Sequence, residues 1–277
     1  MRIDVWSDIL CPFCHVGRRH LELALAQFEH AGEIGVVWHS FMLDANAPSE
    51  DPRPMPQLIS QKYGTSVQDA VAQHERMATD AAAVDLDFQW QKVVAGNSFD
   101  AHRLIHFARA QGREVEVTER VMRAWYSEGA SIGDHDTLVR LALAAGLDEG
   151  AVRDLLAGDD HGIDVRTDVA LATQIGITAV PTFVLDQKYS VSGAQPVDVM
   201  LDALRQVWDL QGTEPEVAQG GGCGGGCCGG ACGSEDTEAV TDDAACGCGE
   251  GVCGGGICGG DENAPEEKVS DAVPASR

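Results

Sequence analysis

Arg2-Ile3-Asp4-Val5-Trp6 and, after a short connection, Cys11-Pro12-Phe13-Cys14 are the stretch whose reading decides the fold. The first segment alternates apolar with polar residues, the period of a strand. The segment after the cysteines, His15 to Glu29, has helical periodicity. Val16, His20, Leu23 and Phe28 lie near one face, with Leu21 and Leu25 beside them. Cys11 is therefore expected where a strand hands over to a helix. Unpaired backbone N–H groups and the dipole at a helix N-terminus favour a thiolate over a thiol. Pro12 fits the first helical turn, where its missing N–H costs nothing.

The chemistry that needs this spacing is thiol–disulfide exchange. One cysteine attacks as a thiolate, and a second lies one helical turn away to resolve the mixed disulfide. By position Cys11 is the nucleophile and Cys14 the resolving thiol, and the Pro12-Phe13 dipeptide tunes the pair. The competing reading is half of a zinc site, which needs two more ligands at ligand spacing. No second cysteine pair occurs before residue 223.

The chain has 277 residues, 44% of them hydrophobic, which suffices for a sizeable core. Its formal charge of −25 is unevenly shared: residues 214–277 hold thirteen Asp and Glu against Lys268 and Arg277. Such acidity argues against nucleic acid or an anionic membrane as partner. No charged and apolar leader precedes the first strand, and no run of about 18 apolar residues occurs. A cytoplasmic, reducing setting is expected, where disulfides are usually transient and catalytic.

Further along, Gly35-Val36-Val37-Trp38-His39-Ser40-Phe41 reads as a second strand, followed by a connection rich in proline. Residues from about 57 to 163 read as helices. Val67, Ala70, Val71, His74, Met77, Ala78 and Ala81 form one stripe, and Ala101, Leu104, Ile105 and Ala108 another with Ser98 as its cap. Asp134 and Asp148 are placed to cap two more helices, and Gly146 to end the first of them. No cofactor motif is read into these stripes, and none is expected. A last helix through Ala170, Leu171 and Ile175 leads to a strand at Thr182-Phe183-Val184-Leu185, a turn at Asp186-Gln187-Lys188, a strand at Tyr189 to Ser192 and a closing helix over 194–210.

That order, with Cys-x-x-Cys at the first strand–helix junction and Val180-Pro181-Thr182 before the third long strand, resembles the DsbA family. It is most similar to the cytosolic, FrnE-like dithiol–disulfide oxidoreductases. The matching residues are Ser7-Asp8, Cys11-Pro12-Phe13-Cys14, Gly17, Asn97-Ser98, Ala101-His102-Arg103-Leu104, Ala172, Gly176-Ile177, Val180-Pro181-Thr182-Phe183 and Ser192-Gly193-Ala194-Gln195. The resemblance implies an α/β thioredoxin fold carrying an inserted all-helical domain. The thioredoxin part would comprise residues 1–56 and 164–211, the insertion 57–163, and a tail 212–277. It implies a cis Pro181 beside the cysteines, with Val180, Pro181 and Thr182 as the edge on which an extended substrate docks. The implied substrates are protein disulfides or small thiols. Related glutathione-dependent isomerases and transferases carry serine at the first catalytic position, against which Cys11 argues.

Three histidines are weighed beside this. His15, next to the pair, is read as a solvated helix residue in preference to a partner of the thiolate. His102 and Arg103 are read as a link between the two parts, and His39 as packed or half-exposed. From 212 onward the composition collapses into Gly, Cys, Ala, Asp and Glu, with eight of the ten cysteines between Cys223 and Cys258. Such a segment is expected to be disordered. Its thiols admit zinc or copper(I) as an alternative to a low-complexity extension without a defined site.

Overall fold

Strand β1 (Arg2–Ser7) forms the middle of a four-stranded sheet. In the computed structural model, which describes residues 1–211, it pairs in parallel with β2 (Gly35–Ser40) and antiparallel with β5 (Thr182–Leu185). The hairpin partner β6 (Tyr189–Ser192) completes the order β2-β1-β5-β6. The expectations of disorder and of metal on the tail lie outside the described residues. In register, Val5 stands between Trp38 and Phe183. The hairpin turns at Asp186 and Gln187, both with positive φ, which matches the right-handed twist of its strands.

Alternation along β1 sends its side chains into two cores. Ile3 and Val5 join Phe183 and Leu185 against α1 (Pro12–Leu25) and α9 (Val197–Gln211), where Leu21, Ala24, Met200 and Leu204 are buried. Trp6 belongs to the other core, which fills the helices between β2 and β5. Each aliphatic or aromatic side chain fully buried there contributes about 1.5–3 kcal/mol relative to exposure.

Those helices are α2 (Met55–Tyr63), α3 (Val67–Ala82), α4 (Phe99–Ala110), α5 (Glu114–Arg123), α6 (His135–Ala144), α7 (Glu149–Ala157) and α8 (Gly162–Gln174). Asp134 caps α6 by accepting from the Thr137 amide, and Asp148 caps α7 through Ala151. Gly146 ends α6 in the left-handed region, letting the Leu147 amide reach the Ala142 carbonyl at 3.0 Å. Ser98 precedes α4 but its side chain makes no capping bond; Asn97 instead accepts from the Phe99 amide at 2.9 Å.

Periodicity misplaced two faces. The buried side of α1 is Cys14, Val16, Gly17, Leu21 and Ala24; Leu23 is only half-buried, and Phe28 packs from beyond the helix end. On α8 the buried residues are Val165, Asp168 and Ala172, while Ala170, Leu171 and Ile175 face solvent. The inward residue there is a carboxylate, which an apolar count passes over. Two features carried no sequence signal: the short ladder β3 (Glu50–Asp51) with β4 (Ala95–Gly96), and a π-helical turn over Ala124–Glu128.

Candidate active site

Asp8 shapes the loop that delivers Cys11. Its carboxylate accepts from the Leu10 amide at 3.2 Å and from the Leu43 amide at 2.7 Å, tying the β1–α1 turn to the loop after β2. Its carbonyl accepts from the Cys11 amide at 3.1 Å. Burial opposes the Asp8 charge, but His102 and these two amides outweigh it, so the carboxyl titrates below its usual range.

Cys11 is the residue immediately before α1, with extended backbone, and Pro12 opens the helix. The residue is 5% exposed, at the end of the helix where amide groups are unpaired. Cys14 follows one turn later, fully buried, its amide donating to the Cys11 carbonyl at 3.0 Å. Both are free thiols. Burial pushes the Cys14 thiol well up, and the neighbouring Cys11 adds to it. The Ser7 hydroxyl and the Asp8 backbone amide act the other way. The two cysteines therefore stand in different environments: Cys11 nearly covered at the helix end, Cys14 fully enclosed and protonated. Phe13 between them is 41% exposed.

The Val180–Pro181 peptide bond is cis. The turn brings the Val180 carbonyl to 3.7 Å from Cys11 Sγ, which donates to it. The Pro181 carbonyl accepts from the Gly193 amide at 2.8 Å. Thr182 is turned inward: its hydroxyl donates to the Ala179 carbonyl at 2.8 Å, and its backbone lies between Trp6 and Ser192 in the sheet. It supports the loop from beneath, with strand partners on both sides. Gly17 lies against this loop, and His20 on the same helix reaches the Gln195 carbonyl at 2.7 Å.

His15 is not the solvated residue expected. It is buried, with its ring edge-on to Tyr126 at 4.5 Å. Desolvation, with Arg18 adding, pulls its pKa down to about 4, so the imidazole is neutral. Its place beside the cysteines follows from one residue of helix; its burial comes from the helical block closing over that face.

His102 links the two parts as expected, with Nε2 3.5 Å from Asp8 Oδ1. Arg103 does not. It staples the helical block to itself, donating to the carbonyls of Leu155, Gly158 and Asp160. His39 is stacked on Trp6 and hydrogen-bonded to Asp4 and Asp168. Asp168 also accepts from the Ser40 amide at 2.8 Å and lies 3.1 Å from His106 Nε2. This polar cluster joins the sheet to α8 and α4, and sequence reasoning missed Asp168. Among the described residues, no cluster of three or more His, Cys, Asp or Glu could hold a metal. None of their helices is long and apolar enough to cross a membrane.

Residues 2–205 match the family described as the DSBA-like thioredoxin domain. The chain belongs to that DsbA-like family. Within it, the chain is 40% identical to a probable DsbA oxidoreductase, SCO1869, from Streptomyces coelicolor. The superposition covers 76% of this chain and 90% of that one, with a TM-score of 0.73. It is 30% identical over 213 residues to the uncharacterized protein YwbO of Bacillus subtilis, covering 74% of this chain and 96% of the relative. A 2-hydroxychromene-2-carboxylate isomerase shares the fold at 14% identity and a TM-score of 0.56, covering 76% of this chain and 98% of its own. The DsbA-like chain is thus an α/β thioredoxin-fold member of an oxidoreductase family. The same fold also occurs in a protein of different chemistry, so the reaction has to be argued from the residues.

Proposed function

We propose that this protein is a thiol–disulfide oxidoreductase that exchanges disulfides with protein or small-thiol substrates through Cys11 and Cys14. The observation that carries the reading is the asymmetry of the pair. Cys11, 5% exposed, caps a helix N-terminus against the cis-proline loop, and Cys14 is fully enclosed one turn behind it. Cys11 attacks one sulfur of the substrate disulfide as a thiolate, the S–S bond breaks, and the other sulfur leaves as a thiolate that takes a proton from solvent. Cys14 then attacks Cys11 Sγ, the mixed disulfide breaks, and the substrate leaves reduced while Cys11–Cys14 closes. The reverse sequence oxidises a dithiol.

In this reading an extended substrate strand lies along the Val180–Pro181 edge, and exposed Phe13 meets its side chains. Gly17 lets the proline approach α1 closely enough to bring that edge to Cys11. The helical block over about 57–163 is the insertion into a thioredoxin unit made of 1–56 and 164–211, with α8 running across the second boundary. Insulin reduction by dithiothreitol tests the reading: wild-type protein is expected to accelerate it and Cys11→Ser to return it to the uncatalysed rate. Undiminished activity in Cys11→Ser would overturn the assignment.

A further inference from the structure

A cleft of about 640 Å³ lies between the loop after β2 and α8 and takes no part in the exchange chemistry. Met42 and Ala45 line it on the loop side, and Val165, Val169 and Ala170 on the helix side. Phe99, at the start of α4, joins them. The amide and charged side chains of the lining already have partners. Asn97 donates to the carbonyls of Ala45 and Ala47, and Asp100 pairs with Arg103 and His135. Arg166 lies over the Phe99 ring at 5.1 Å and within 3.7 Å of Asp159. What the cleft offers a ligand is therefore mainly apolar surface, at a volume ordinary for a binding site.

Both walls run to Cys11. Leu43, next to Met42, donates its amide N–H to the Asp8 carboxylate at 2.7 Å, and the Asp8 carbonyl accepts from the Cys11 amide. On the other side α8 continues from Ala170 to Gln174. The chain then turns at Gly176 into the loop whose Val180 carbonyl is 3.7 Å from Cys11 Sγ. Large apolar side chains are exposed along both routes: Phe13 and Leu43 on one, Leu171 and Ile175 on the other. Leu171 and Ile175, expected in the core from their spacing, are thus spare apolar surface beside the site. Apolar surface grouped in this way marks a place of interaction.

We propose that this cleft is a subsite for unfolded polypeptide, holding an apolar side chain that flanks the substrate disulfide while the disulfide itself lies against Cys11. The inference rests on the dithiol reading above and narrows its substrates to extended protein chains that are not acidic. Continuity with Cys11 and charge select that occupant. An extended chain advances about 3.3–3.6 Å per residue, so a side chain a few residues from the substrate cysteine falls at the Met42 end of the cleft. Glutathione carries no apolar side chain to place there. A second copy of this chain, at a formal charge of −25, is repelled, as is any acidic polypeptide. A neutral or basic segment meets no such barrier.

The test compares two disulfides on the full-length protein. Reduced protein is mixed with scrambled ribonuclease A, a basic unfolded polypeptide, or with glutathione disulfide, then quenched in acid and digested with trypsin. Peptide Ile3–Arg18 contains both cysteines and none from the tail, and the loss of its free thiols gives a rate constant for each disulfide. Ala170 is exposed on α8, so Ala170→Trp fills the cleft without entering the core. Ala45→Trp does the same from the opposite wall, should the helix variant not fold. The rate with scrambled ribonuclease is expected to fall about 10-fold, and the rate with glutathione disulfide to stay at the wild-type value. A ribonuclease rate that does not fall in either variant would overturn the subsite. So would an equal loss with both disulfides, the mark of a displaced Cys11. Sedimentation at matched concentration covers the rival occupant: a wild-type dimer that the variants lose would assign the cleft to a second copy and overturn the proposal. Failure of the wild type to react with either disulfide would overturn the dithiol reading itself.

Discussion

Gly17 and Pro181 meet with no room between them: a Cβ on Gly17 would stand 2.8 Å from Cγ of the proline ring and 3.3 Å from Phe183. The ring cannot swing aside, because the Pro181 carbonyl is anchored on Gly193 and the next residue is in the sheet. Gly17→Ala should therefore cost about 1–3 kcal/mol by overpacking. It should also push the Val180 edge away from Cys11 and lower insulin reduction in the fraction that folds. Urea unfolding with the activity assay checks both, and an unchanged midpoint would show that the loop yields freely.

Cys14→Ser should stop the reaction halfway. Cys11 still attacks, but nothing resolves the adduct, so a mixed disulfide on Cys11 accumulates with protein or glutathione disulfide. Cys11→Ser should accumulate none at Cys14, whose sulfur is enclosed. Adducts found equally on peptide Ile3–Arg18 in both variants would remove the distinction between the two thiols.

Arg103→Met should destabilise without touching the chemistry. The guanidinium serves the carbonyls of Leu155, Gly158 and Asp160 and pairs with Asp100 at 2.7 Å. Orphaning buried carbonyls gives an expected loss of about 2–5 kcal/mol, read as a lower urea midpoint, with unchanged specific activity per folded molecule. Loss of activity in fully folded protein would mean that Arg103 does more than hold α4 to the α7–α8 connection.

The cluster around His39 predicts a pH dependence of stability. Burial opposes the imidazolium, yet hydrogen bonds and charge from Asp168 and Asp4 outweigh it, so the folded pKa is raised. Arg2, paired with Asp4, and His106, beside Asp168, are the other charged or titratable groups in contact with it. A raised folded value gives stability that is fully present below the unfolded pKa, about 6.5, and is lost as pH rises through the folded one. The gap in unfolding free energy between wild type and His39→Gln should therefore narrow with rising pH above that point. A gap that widens, or stays constant, would contradict the charged pairing.

Much of this was legible in the chain. The β1–Cys11–α1 junction, the hairpin, the Asp134 and Asp148 caps and the cis proline all follow from local signals or from the resemblance. What was not legible is polar and long-range. Asp168 is buried by partners on β2 and α4, so the apolar stripe drawn on α8 picked the wrong side. His15 is enclosed by Tyr126 from a helix more than a hundred residues away, which no local pattern reports. Asp8 and Ser7 stood in the matching residues without a role, because a buried carboxylate and hydroxyl acquire one only from what packs around them.

A reversible bond between the sulfurs of Cys11 and Cys14 underlies the proposed exchange. Tryptic peptide Ile3–Arg18 reports it directly, since it isolates that pair from the tail cysteines. In protein oxidised with glutathione disulfide and then treated with iodoacetamide, the peptide should carry an internal disulfide and no alkyl group, and dithiothreitol should restore two alkylatable thiols. Full alkylation of both cysteines in the oxidised protein would contradict the account.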